Sequence, residues 1–334
     1  MYGISKTGKR FLRLGTACVL AVFLCAAVPA GAADMTPRML VPVGHTVGIK
    51  LFARGVVVVK APDSGTPARA CGLRAGDVIV KCRGSTVTST EQFQTLLQES
   101  DGTLTDLQVQ RQNGPVTLRV EPTPNDRGLY CIGAWIRDSM AGIGTVTYYD
   151  PATGTFGALG HGITDVDTAQ LMPFANGAIL PSAVKAVKKG EAGQAGELKG
   201  SFDLSTELGE LYANTGSGVF GTMKESRSLP GTPIPVGQAE PGAAVIRANV
   251  KGDAVEEYAV EILKVAPGAS GGRELVLSVE DPGLLEATGG IVQGMSGSPV
   301  IQNGKLVGAV THVLLNDPTK GYGILIETML EAAE

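Results

Sequence analysis

Along most of this chain, short β-branched and apolar runs are cut by glycine, proline and Asn-Gly pairs, and that punctuation constrains the fold most. The stretch GTVTYYDPATGTFGALGHGITDVDT reads as a hairpin turning at Pro151–Gly154, with a second strand that ends near His161. LVLSVEDPGLLEATGG reads as a strand followed by a short helix. PVIQNGKLVGAVTHVLLNDPTKGYGILIE reads as a hairpin about Asn303-Gly304 and one further strand. Residues 186–242 are rich in Gly and Pro and fit no single pattern. Glycine is abundant (46 of 334 residues) and Trp135 is the single tryptophan, which suits strands and tight turns more than a helical bundle. The expectation is a mainly β chain with some helix, built as a barrel or sandwich.

Residues 47–121 read as a compact unit of their own. VGIKLFARGVVVVKA supplies two β-rich runs broken at Gly55. STEQFQTLLQES places Phe93, Leu96 and Leu97 on one helical face, with Ser89 or Thr90 as the cap. TDLQVQRQNGPVTLRVEP is a hairpin about Asn113-Gly114, and EPTPNDRG at 121–128 is a joint. Within the unit, ACGLRAGDVI at 70–79 resembles the A-G-L-x-x-G-D-x-I signature of PDZ domains of bacterial proteases. That resemblance implies a groove for an extended peptide, with Val47-Gly48-Ile49 as the amide-bearing turn for a terminal carboxylate. It also admits self-association through the unit, or a groove that is closed or packed on a neighbour.

The first 33 residues differ from the rest. Lys6, Lys9, Arg10 and Arg13 precede an apolar run from Leu14 to Val28, and small residues follow through Ala33. This is the pattern of a signal peptide or a membrane anchor, and it predicts export, with 34–46 as a linker. Without that segment 24 Lys+Arg face 32 Asp+Glu and no basic run remains, which argues against nucleic acid as a partner. Cys71, Cys82 and Cys131 remain, an odd number that reads as small apolar side chains rather than a disulfide framework. No paired histidine or Cys-x-x-Cys spacing occurs, so neither a metal nor another cofactor is expected.

The chemistry then turns on three histidines and one serine. In GMSGSP, Ser296 sits between Gly294 and Gly297, in a loop that resembles the G-x-S-G-x-P nucleophile loop of chymotrypsin-like proteases. The oxyanion donors there would be the N–H groups of Gly294 and Ser296, and Ser298 would serve only the turn. His161 in ALGHGIT lies upstream at a strand end and is the candidate base. His312 lies in the apolar strand AVTHVLL and reads as a core or sheet-surface histidine, while His45 has no catalytic context. Asp165, Asp167, Asp281 and Asp317 stay nearly level as the acid. Asp281 before Pro282 is also a helix N-cap pattern.

Taken together, GALGHGITDVDT, the long motif from Asp281 to Ile324 and the preceding PDZ-like unit resemble the SpoIVB peptidase family from about residue 40 onward. The resemblance implies a chymotrypsin-like double β-barrel over 122–334 behind the PDZ domain. It implies a serine endopeptidase with His161 as base, Ser296 as nucleophile and Asp281 as acid, Asp317 standing second. It further implies self-processing and cleavage of a membrane-bound inhibitor of an intramembrane metalloprotease, between the forespore and mother-cell membranes, to activate a late sigma factor. The chain departs in its three remaining cysteines and in Gly162 after the motif histidine. Two other readings stand beside this one: a PDZ-bearing envelope scaffold without catalysis, and a general envelope quality-control protease.

Overall fold

The computed structural model describes residues 37–60, 62–224 and 229–334; the expected export segment 1–33 lies outside them. Two rings of antiparallel strands organise the chain from Arg38 onward, which forms one compact unit.

The first ring runs Thr46–Lys60, Trp135–Asp150, Thr155–Ala158, Gly218–Met223, Gly209–Thr215, Phe174–Lys188 and back to Thr46–Lys60. Its interior is Val47, Ile49, Val146, Phe156, Ile179, Leu211 and Val219. The second is a closed barrel of Gly242–Lys251, Ala254–Val265, Leu275–Val279, Lys320–Leu325, Lys305–Val313 and Pro299–Gln302. The last strand closes on the first at Val245↔Ile301 and Ile246↔Val300. A shared apolar cluster with Leu40, Tyr148, Phe220, Ala309, Ile324 and Met329 packs the two rings together. The mainly β, double-barrel expectation describes this molecule. The Asn303-Gly304 turn carries φ of 52° and 71°, the left-handed pair a two-residue hairpin needs.

The PDZ unit is not strung before the barrels but let into them. Thr46–Lys60 and Trp135–Asp150 each run through both units, paired from Thr46↔Thr145 to Phe52↔Ser139 in the barrel and from Val57↔Arg137 to Lys60↔Trp135 in the PDZ sheet. The register breaks between them at Gly55, whose φ is +107° and where a Cβ would sit 2.6 Å from the Ile79 carbonyl oxygen. That is a bulge re-aiming the strand, and only glycine fits it. Beyond it the sheet continues through Val78–Cys82, Thr105–Arg111 and Gly114–Val120. Helix Thr90–Gln98 lies on this sheet, capped by Ser89 and burying Phe93, Leu96 and Leu97.

This arrangement corrects three sequence expectations. The stretch 34–46 is not simply a linker, because Met39–Pro42 is a strand paired with Trp135–Asp150 and with Ile234–Pro235. Val47, Gly48 and Ile49 are not a carboxylate-binding turn and not part of the PDZ unit. They are buried in mid-strand, paired with Gly142–Gly144 on one side and with Ile179–Pro181 on the other, so the ladders occupy this stretch on both edges. The PDZ sheet starts near Val56 and is completed by residues 135–137, outside the expected span of 47–121. Cys71, Cys82 and Cys131 are free thiols, Cys82 fully buried.

Candidate active site at the junction of the two barrels

His161 lies three residues past strand Thr155–Ala158, after Leu159 and Gly160, both at φ of 69°. Its Nδ1 meets the Gly162 carbonyl at 2.9 Å. A carbonyl only accepts, so this contact puts the proton on Nδ1 and leaves the lone pair on Nε2. Burial pushes the His161 pKa below the usual histidine value, so the ring is a neutral base near neutral pH.

The serine loop is held from both barrels. Met295 is fully buried in the second barrel's core. Thr145, on the strand of the first barrel, donates its N–H to the Ser296 carbonyl (3.0 Å) and its hydroxyl to the Gly294 carbonyl (2.7 Å). The Thr145 carbonyl in turn accepts from Leu159 N–H, two residues before His161. Gly297 has φ of +97°, and a Cβ there would lie 2.0 Å from the Thr145 carbonyl oxygen. A side chain at 297 would push the serine loop off the strand leading to the histidine.

The N–H groups within the loop divide cleanly. Met295, Gly297 and Ser298 donate to the Val292, Val310 and Met295 carbonyls, whereas Gly294 and Ser296 N–H have no acceptor among the described residues. Ser296 is half-buried, and its Oγ donates to the Thr311 carbonyl at 2.7 Å rather than to a histidine. Ser298 is fully buried, and its Oγ has no partner among the described residues.

None of the four candidate acids bonds to a histidine among the described residues. Asp281 caps helix Pro282–Thr288, accepting from Leu284 N–H at 2.9 Å. The carboxylate expected to orient His161 thus contacts the helix terminus, with no bond to His161 among the described residues. Asp165 and Asp167 both pair with Arg137. Asp317 pairs with Lys320 at 2.8 Å, and that bond and the Thr319 hydroxyl hold its carboxyl below the usual range.

His312 is where the sequence reading fell short. Its ring lies against His161, with centroids 4.9 Å apart and planes tilted by 33°. Burial, with His161 and Arg273 nearby, pushes its pKa down to about 4. The available signal was that one of only three histidines directly follows the Thr311 whose carbonyl now holds Ser296. His45 lies apart, its Nδ1 on the Thr46 carbonyl. Thr145 had no sequence signal at all.

A family model described as SpoIVB peptidase S55 matches residues 128–330, and a PDZ-domain model matches 58–111. A Clostridium perfringens (strain 13 / Type A) protein with the provisional name zinc metalloprotease CPE1693 is 32% identical over 82 residues. That match takes in 25% of this chain and 24% of the relative, so the chain spans about a quarter of that protein's length. Among the described residues no group of three or more His, Cys, Asp or Glu is placed to hold a metal. Two solved structures are similar in part. One is the PDZ domain of an SdrC-like protein from Listeria monocytogenes (21% identity, 25% of this chain and 87% of that one, TM-score 0.23). The other is an inactive form of the Rv3671c protease (15% identity, 58% and 82%, TM-score 0.32). The S55 match runs from before the histidine loop to the last helix and takes in His161, Ser296 and His312 alike: this chain belongs to the SpoIVB peptidase S55 family.

Proposed function

We propose that the protein is an exported serine endopeptidase. His161 takes the Ser296 hydroxyl proton on Nε2 as Oγ attacks a peptide carbonyl, then returns it to the leaving amine. The N–H groups of Gly294 and Ser296 receive the oxyanion. The reading is carried by that pair of unspent N–H groups, in a loop that Thr145 fastens to the strand leading to His161. Before attack, Ser296 Oγ leaves the Thr311 carbonyl by rotation about χ1.

The test compares the full chain with its Ser296→Ala form, reading labelling by a fluorophosphonate and self-truncation near the N-terminus. The parent is expected to react and the alanine protein to stay silent; identical behaviour of the two removes the peptidase reading.

The finer role is sporulation signalling: self-processing, then cleavage of a membrane-bound inhibitor of an intramembrane metalloprotease between the forespore and mother-cell membranes. Family membership and the export-type N-terminus support it. Co-expression with such an inhibitor is expected to yield a cleaved inhibitor with the parent and an intact one with Ser296→Ala. A non-catalytic scaffold has one observation in its favour, the Ser296 Oγ bond to Thr311. Silence of the folded parent toward the fluorophosphonate would select it.

A further inference from the structure

We propose that His312 is a positioning residue for His161, its ring face stacked on a base that bonds to no carboxylate among the described residues. The proposal rests on the serine-peptidase reading for its purpose, but its geometry is independent of that reading. The two rings are 4.9 Å apart and tilted by 33°, within the range of stacked aromatic pairs. His312 reaches the site from strand Lys305–Val313 of the second barrel, one residue after the Thr311 carbonyl that holds Ser296 Oγ.

The histidine is an expensive choice for that strand. His312 Nδ1 is buried with no hydrogen-bond partner among the described residues, a cost that Val or Leu would not incur. Packing alone therefore does not account for it. Its neighbour His161 has a different need. When His161 takes the Ser296 proton, Nδ1–H stays on the Gly162 carbonyl, and no carboxylate among the described residues bonds to the ring to balance the new charge. The π face of an uncharged imidazole does so in part, as an aromatic ring does for a cation above it.

His312 stays uncharged through the working range, its pKa held near about 4 by burial and by its neighbours. The titratable and charged groups facing it are His161 from the first barrel, Arg273 before strand Leu275–Val279, and Tyr322 opposite it on strand Lys320–Leu325. Arg273 lies 5.3 Å from the Tyr322 ring centroid, so this cation is drawn to the tyrosine face.

With only His45, His161 and His312 in the chain, an imidazole NMR titration of the full-length protein resolves each midpoint directly. His312→Leu is expected to lower the His161 midpoint by about one pH unit and to slow fluorophosphonate labelling about tenfold. His312→Phe, which restores a ring face, is expected to return both to near the parent values. His312→Val serves as the ringless variant if the leucine protein does not fold. An unmoved His161 midpoint in the ringless variant overturns the proposal, as does a phenylalanine protein that behaves like the leucine one. Absence of labelling in the parent would sink the peptidase reading alone, since the titration still decides the pairing of the rings.

Discussion

Thr145 donates its hydroxyl to the Gly294 carbonyl at 2.7 Å, joining the strand that precedes His161 to the loop that carries Ser296. Thr145 is 1% exposed, so the bond is made away from water. Thr145→Val keeps the shape and removes the donor. It leaves the Gly294 carbonyl short of a partner, which costs about 1–2 kcal/mol. Denaturant midpoints should show that loss, and fluorophosphonate labelling of Ser296 should slow about tenfold as Gly294 N–H loses its aim. Labelling at the parent rate would mean that the backbone bonds of Thr145 suffice.

The acid side of the pH profile follows from His161 and His312, both half-buried. Both folded pKa values lie below the unfolded histidine value, His312 near about 4. For His312 only the unfolded chain takes up the proton between about pH 6.5 and 4, and His161 acts in the same direction, so stability is full above that window and falls as pH drops through it. The loss should reach roughly 1–3 kcal/mol at pH 4, read by urea unfolding at stepped pH. Labelling should reach half its maximum below the ordinary histidine value of about 6.5, because burial lowers the pKa of the base. A half-maximum above about pH 6.5 would contradict the lowered pKa of His161.

Asp281 separates the geometry from the family expectation. Its carboxylate caps Pro282–Thr288, and asparagine is an equally good N-cap. Asp281→Asn is therefore expected to keep both stability and labelling, whereas Asp281→Ala should cost about 1 kcal/mol. A loss of about 10⁴-fold in turnover for Asp281→Asn, as for a triad aspartate, would place this carboxylate on His161 during the reaction.

Arg137 fastens the segment after His161. It pairs with Asp165, whose side chain is 1% exposed, and with Asp167, while its own strand position pairs with Val57 at the edge of the PDZ sheet. Arg137→Met leaves the buried Asp165 carboxylate with only the Asp167 and Thr168 donors on Oδ1 and should destabilise by about 1–3 kcal/mol. Removing both partners, with Asp165→Asn added, should recover part of that loss. Calorimetric melting of the two variants checks the order.

Local structure was largely legible in the sequence. The Asn303-Gly304 and Pro151–Gly154 turns, the Ser89 cap and the buried face of Phe93, Leu96 and Leu97 follow from backbone and periodicity rules that operate within a few residues. The glycines around Ser296 and the strand end before His161 could be read in the same way. What only the tertiary structure decided is how distant segments pair. Val47–Ile49 looked like a turn but lie in a ladder closed on both edges, because their partners are 90 and more residues away. His312 faces His161 across the barrel junction, and Thr145 meets Gly294 over a separation of 149 residues. Asp281 carried two local meanings, helix cap and acid, and the geometry that chooses between them depends on where His161 lies in the other barrel. Turn and cap preferences are set by a residue's own dihedral angles and nearest neighbours, whereas the composition of a site between two barrels depends on their closure and docking.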